Sequence, residues 1–101
     1  MPRVYYEVTA TVLDAGIAEE WLRWMAFEHI DRVVQAGAAS GRVVRLDNAV
    51  NVFLVQFEFE SRQAFEKYQS TNAPLLRQES TRRFEPEQVT YARRSGDIVD
   101  R

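Results

Sequence analysis

The sequence contains no cysteine and only one histidine in 101 residues. Without cysteine there is no disulfide framework and no thiolate for a metal, and one histidine cannot supply the usual multi-histidine zinc or iron sites. No metal centre is expected. No phosphate loop or nucleophile elbow is present either, so no cofactor is expected. Charge of one sign is also missing: thirteen basic residues stand against fifteen acidic ones, a net charge of -2. Such a balance makes no strong field for phosphates, which argues against nucleic acid as a partner. No run approaches the roughly eighteen apolar residues that span a bilayer, and Met1-Pro2-Arg3-Val4-Tyr5-Tyr6 lacks an apolar leader core. A soluble, cytoplasmic protein without a membrane partner is the expectation.

What is present is a globular composition, 46% hydrophobic, of a length that suits one domain over 1–101. A domain this small buries only about 60 to 65% of its unfolded surface, so a homo-oligomer is expected to cover more. Twelve of the thirteen basic residues are arginine, which reflects either bidentate anion recognition or an arginine-rich codon bias.

Val4, Tyr6, Val8, Ala10 and Val12 alternate with Tyr5, Glu7, Thr9 and Thr11, the period of a strand with two unlike faces. Asp14-Ala15-Gly16 ends it, and a helix is predicted from about Ile17 towards Gln35, ending near Gly37. Gly41 to Leu46 forms a second strand and Asp47-Asn48 a tight turn, since both residue types tolerate positive φ. The return strand runs from Asn51 to Glu60, with Phe53, Val55, Phe57 and Phe59 on one face. Ser61 caps a second helix bearing Phe65, Tyr68 and Leu76, which Pro74 breaks near Asn72-Ala73 before it resumes through Phe84. Pro86 opens the last strand, with Val89, Tyr91 and Arg93 alternating with Thr90, Ala92 and Arg94 before a polar tail from Ser95.

Strand, helix, strand, strand, helix, strand is the α+β ferredoxin-like arrangement βαββαβ: a four-stranded antiparallel sheet with two helices on one face. The uncovered face is expected to carry Tyr5, Glu7, Thr9, Val52, Leu54, Gln56, Glu58 and Tyr91, too mixed for plain surface or plain core. Pairing two such faces makes a homodimeric α/β barrel with a polar centre.

Glu20-Trp21-Leu22-x-Trp24-Met25, then His29-Ile30, Ala73-Pro74-x-Leu76-Arg77 and Arg83-Phe84 together resemble a bacterial family of unknown function, over nearly the whole chain. That family is similar in turn to the dimeric α/β-barrel proteins. The resemblance implies the same fold and leaves the reaction open. The wider group includes monooxygenases of aromatic polyketides, haem-degrading enzymes, lactone isomerases and members without known catalysis. Family members often have a proline where Asp31 stands, giving a broken first helix, and a histidine where Asn72 stands.

At about 100° per residue, Ile17, Trp21, Trp24 and Glu28 share one stripe of the first helix, within about a 60° arc. Glu28 is then either a buried acid or base against indole rings, or a rim carboxylate paired with Arg32. His29 lies on the side of Leu22, Met25 and Val33, where it either transfers protons in a cavity or bonds a carbonyl at a helix bend. Trp21, Trp24, Met25, Phe57 and Tyr68 are core residues that double as candidate lining for a flat ligand. Asn72 is a candidate for binding a ligand carbonyl or for satisfying backbone freed by Pro74. Arg77 and Arg83 either clamp a carboxylate or pair with Glu79 or Glu85. Two functions follow: a non-catalytic dimeric domain for assembly or small-ligand binding, and a cofactor-independent monooxygenase or isomerase using His29 and Glu28.

Overall fold

The computed structural model of the chain describes residues 2–101. Four strands, β1 (Val4–Val12), β2 (Ser40–Arg45), β3 (Val52–Phe59) and β4 (Val89–Asp97), form one sheet in the order β2-β3-β1-β4. Every neighbouring pair is antiparallel, which is the ferredoxin-like topology that the alternation of element types predicts. Among the described residues no helix is long and apolar enough to cross a membrane.

The first helical run comprises α1 (Ala15–Trp24), a π-helical turn (Met25–His29) and α2 (Ile30–Gln35). Asp14 starts it by accepting a bond from the Ile17 amide at 2.9 Å, and Gly37 follows its end with φ of +133°, a region open to glycine at little cost. The second run divides into α3 (Arg62–Thr71) and α4 (Ala73–Arg83) at Asn72. Ser61 caps α3 through the Ala64 amide at 3.1 Å, and Pro74 sits in the first turn of α4, where its missing N–H is harmless.

Directly paired residues of an antiparallel sheet share a face. Val4, Tyr6, Val8 and Ala10 lie opposite Phe59, Phe57, Val55 and Phe53, and all eight are buried under the helices. The same rule corrects one expectation. Tyr91 pairs with Ala10, so it faces the helices and not the open side of the sheet; Val89, two residues earlier and buried, has the same parity. The polar tail also begins later than expected, because Ser95 to Asp97 continue the ladder to Tyr6 through Val4. The connection after β2 spans 46–51 and is no two-residue turn, with Asn48 and Asn51 at φ of about 60°.

Gly41 pairs with Phe57 and sits where the sheet meets the π turn's continuation. A Cβ there would lie 2.8 Å from the Phe57 ring and 2.9 Å from the Ile30 side chain, distances that a packed core cannot absorb without displacement. Gly41→Ala should therefore lower stability by about 1–3 kcal/mol, seen as a lower denaturant midpoint. An unchanged midpoint would mean that the Phe57 ring moves aside freely.

Candidate functional site in the helix–sheet cavity

The π turn sets the site's geometry. The Ile30 amide bonds the Met25 carbonyl, five residues back, so one extra residue is accommodated within the helical run without a break. In a regular α-helix Trp24 and His29 would stand about 140° apart. In the wider turn they become neighbours and stack, with ring centroids 4.6 Å apart at 29°. Two expectations change accordingly. His29 groups with Trp24 as well as with Met25, whereas Glu28 turns out to the surface with Phe27, which is 76% exposed. Glu28 does not pair with Arg32, whose guanidinium bonds Glu79.

A small cavity of about 30 Å³ lies between helices and sheet, with Tyr6, Val8, Val55 and Phe57 as its floor. Met25, His29 and Val33 form one wall and Tyr68, Leu76, Arg77 and Ser80 the other, while Tyr91 and Arg93 close it from β4. The volume admits one or two water molecules, or a group of that size.

Its polar groups form a connected system. The Trp21 indole donates to the Tyr91 hydroxyl at 3.0 Å, which lies 2.9 Å from the buried Ser80 hydroxyl. Since indole only donates, Tyr91 accepts there and has its own proton to give to Ser80. Burial pushes the Tyr68 hydroxyl up to about 12. Burial also holds the His29 imidazole at about 4, helped by Arg32 and Arg93 and opposed by Glu79. His29 is thus neutral at physiological pH, and its Nδ1 is buried with no hydrogen-bond partner among the described residues. A buried unpaired polar atom of this kind is costly and marks a site with an unmet partner.

Of the residues singled out from sequence, the cavity brings together Met25, His29, Phe57, Tyr68 and Arg77. Trp21 is core, fully buried and stacked on Phe53 at 5.3 Å. Trp24 packs on His29 and edge-on against Phe84 at 5.5 Å, and beyond that borders a surface groove with Glu28 and Arg83. Asn72 is exposed and accepts a bond from the Thr71 hydroxyl at 2.8 Å, away from the cavity. Arg83 lies over the Phe84 ring at 5.8 Å, and neither Arg77 nor Arg83 makes the predicted ion pair with Glu79 or Glu85. Ser80, Tyr91 and Arg93 were not anticipated here. The parity of Tyr91 and Arg93 with Val89, and the one-turn spacing of Ser80 from Leu76, are the signals that locate them.

A second polar system crosses the uncovered face. Arg94 donates to Glu7 at 2.6 Å, Tyr5 donates to Glu7 at 2.8 Å, Gln56 donates to Tyr5 at 3.0 Å and Arg42 donates to Gln56 at 2.7 Å. Glu7 is only 4% exposed, shielded by its neighbours' side chains and not by depth within the protein. The Arg94 bond is the main cause holding its carboxyl below the ordinary value, with Tyr5 adding and burial opposing.

The chain belongs to the family described as Domain of unknown function (DUF4286), matched over residues 3–95. No curated protein matches the sequence. Solved structures of the same fold include a conserved protein of unknown function from Bacteroides thetaiotaomicron, with a TM-score of 0.72 and 10% identity over 96% of this chain and 98% of that one. A dimeric ferredoxin-like protein from an uncultured marine organism has a TM-score of 0.72 and 14% identity, covering 98% of this chain and 96% of its own. SnoaB, a cofactor-independent oxygenase from Streptomyces nogalater, has a TM-score of 0.64 and 13% identity, covering 100% and 97%. At such identities the likeness establishes the fold and nothing about chemistry.

The buried imidazole predicts a pH signature. The folded His29 resists protonation until about pH 4, whereas the unfolded one takes a proton near its ordinary 6.5, so stability is full above that value and falls as the pH drops between the two. The loss should be on the order of 2–3 kcal/mol. Urea titrations from pH 7 to 4 should show this slope, and His29→Gln should flatten it while leaving the carboxylate-driven loss at lower pH. An unaltered slope in the variant would assign the titration to another group.

Proposed function

We propose that this protein is a non-catalytic, homodimeric ferredoxin-like domain that binds a small molecule in the helix–sheet cavity. The observation that carries the binding role is the unpartnered, buried Nδ1 of His29, a residue that lines a cavity together with Tyr68, Ser80, Tyr91, Arg77 and Arg93. Small-molecule sites have this composition, an apolar wall with a few converging polar groups. The dimeric part is supported by the uncovered sheet face, where half-buried Val44, Val52 and Leu54 on β2 and β3 share a face with the Glu7–Arg94 pair. A second copy laid on that face would remove the apolar members from water and leave each pair's charges satisfied. The marine protein of the same fold is described as dimeric.

A second reading, a cofactor-independent monooxygenase or isomerase, is favoured by one observation: His29 is neutral within the cavity and could accept a proton from a substrate. Glu28, exposed at the surface, cannot act with it, and a cavity of about 30 Å³ must open to admit an aromatic substrate.

Sedimentation at micromolar concentration should give a dimer, and Leu54→Arg a folded monomer. A wild-type monomer would contradict the assembly. Native mass spectrometry of the freshly purified protein should reveal a bound small molecule that is lost in His29→Leu. If no mass is ever retained, the ligand-binding role fails. Turnover of an aromatic substrate that His29→Gln abolishes at unchanged stability would establish the second reading instead.

A further inference from the structure

We infer that the cavity is a carboxylate site, in which Arg77 and Arg93 hold the acid group of a short-chain organic acid whose apolar body enters against Met25, Val33 and Leu76. This inference rests on the ligand-binding role proposed above and names the class of ligand. The two arginines reach the cavity from different elements, α4 and β4. Both act electrostatically on the Tyr68 hydroxyl, which lines the same cavity.

Neither has a carboxylate partner among the described residues. Arg3, Arg32, Arg45, Arg62 and Arg94 each form an ion pair with Asp or Glu, but Arg77 bonds the neutral Gln69 amide oxygen at 3.0 Å and Arg93 rests over the Tyr91 ring at 5.2 Å. Glu79, the carboxylate on the same helix that acts on His29, is already taken by Arg32. Two arginines lining one small cavity, neither held by a carboxylate among the described residues, offer the kind of forked donors that suit a carboxylate.

The remainder of the cavity limits the rest of the ligand. Its space is that of one or two waters, enough for the end of a short alkyl chain and too little for a ring. His29 contributes no charge, so the anion is recognised by the arginines alone, while the Ser80 hydroxyl and His29 Nδ1 can meet an additional oxygen on the ligand.

The test titrates the full chain with butyrate, its neutral analogue butyramide and inorganic phosphate, following the Trp21 indole N–H by NMR, because that group reports on Tyr91 at the cavity edge. Butyrate should shift this resonance, with butyramide and phosphate each at least about tenfold weaker. Arg77→Gln and Arg93→Gln should each weaken butyrate about tenfold without lowering the melting temperature, since both side chains are exposed. A tenfold change corresponds to about 1.4 kcal/mol. Equal binding of butyramide would overturn the carboxylate assignment while leaving the cavity a ligand site. Phosphate binding as well as butyrate would reduce it to a general anion site and overturn it too. No response to butyrate refutes it outright, and the wider ligand-binding role then stands or falls on native mass spectrometry alone.

Discussion

The five-residue π turn from Met25 to His29 governs where every later side chain of the first helical run points. Its wider spacing weakens the helical hydrogen-bond geometry, a cost that a short α-helix alone would not sustain. The Trp24–His29 stack and the burial of Met25, Ile30 and Val33 offset it. Aromatic pairs of this kind contribute about 0.5–1.5 kcal/mol beyond their area. One local irregularity thus accounts for the buried imidazole and for the exposure of Phe27 and Glu28.

Tyr91 plays the corresponding part on the sheet side. Its ring stands on the inner face of an edge strand, and its hydroxyl links the Trp21 indole in the core to Ser80 in the cavity wall. Without that acceptor the fully buried indole N–H would have to be desolvated unpaired, at about 1–3 kcal/mol. Core and cavity are therefore joined by one hydroxyl, which makes the position of β4 relative to α1 a shared requirement of stability and site geometry.

The two faces of the sheet separate the two proposed roles. The inner face holds a cavity with a neutral histidine and two guanidiniums free of carboxylates. The outer face carries a chain of bonds from Arg42 through Gln56, Tyr5 and Glu7 to Arg94, which crosses all four strands and satisfies a shielded carboxylate. Solved structures at 10 to 14% identity share this fold, whereas the polar groups on the two faces are set by the side chains of this sequence.

The strands, the capped helix starts at Asp14 and Ser61 and the break at Asn72 were legible because each is encoded by residues close in sequence: a period of two, a side-chain acceptor three residues ahead of an amide, a missing N–H. The βαββαβ order follows from those pieces. Placement of the site was only partly legible. Met25, Phe57 and Tyr68 line the cavity on the phase that apolar periodicity gives them, and His29 lines it on the side of Met25 and Val33 as expected, but the stripe assigned to Glu28 assumed a constant turn, and no local signal marks the inserted residue. The turn brings Trp24 and His29, five residues apart, into a stack whose indole packs on Phe84, a residue distant in sequence. Likewise, twelve arginines look alike along the chain; which of them meet a carboxylate, and which face the cavity without one, depends on distances that exist only after the chain has folded.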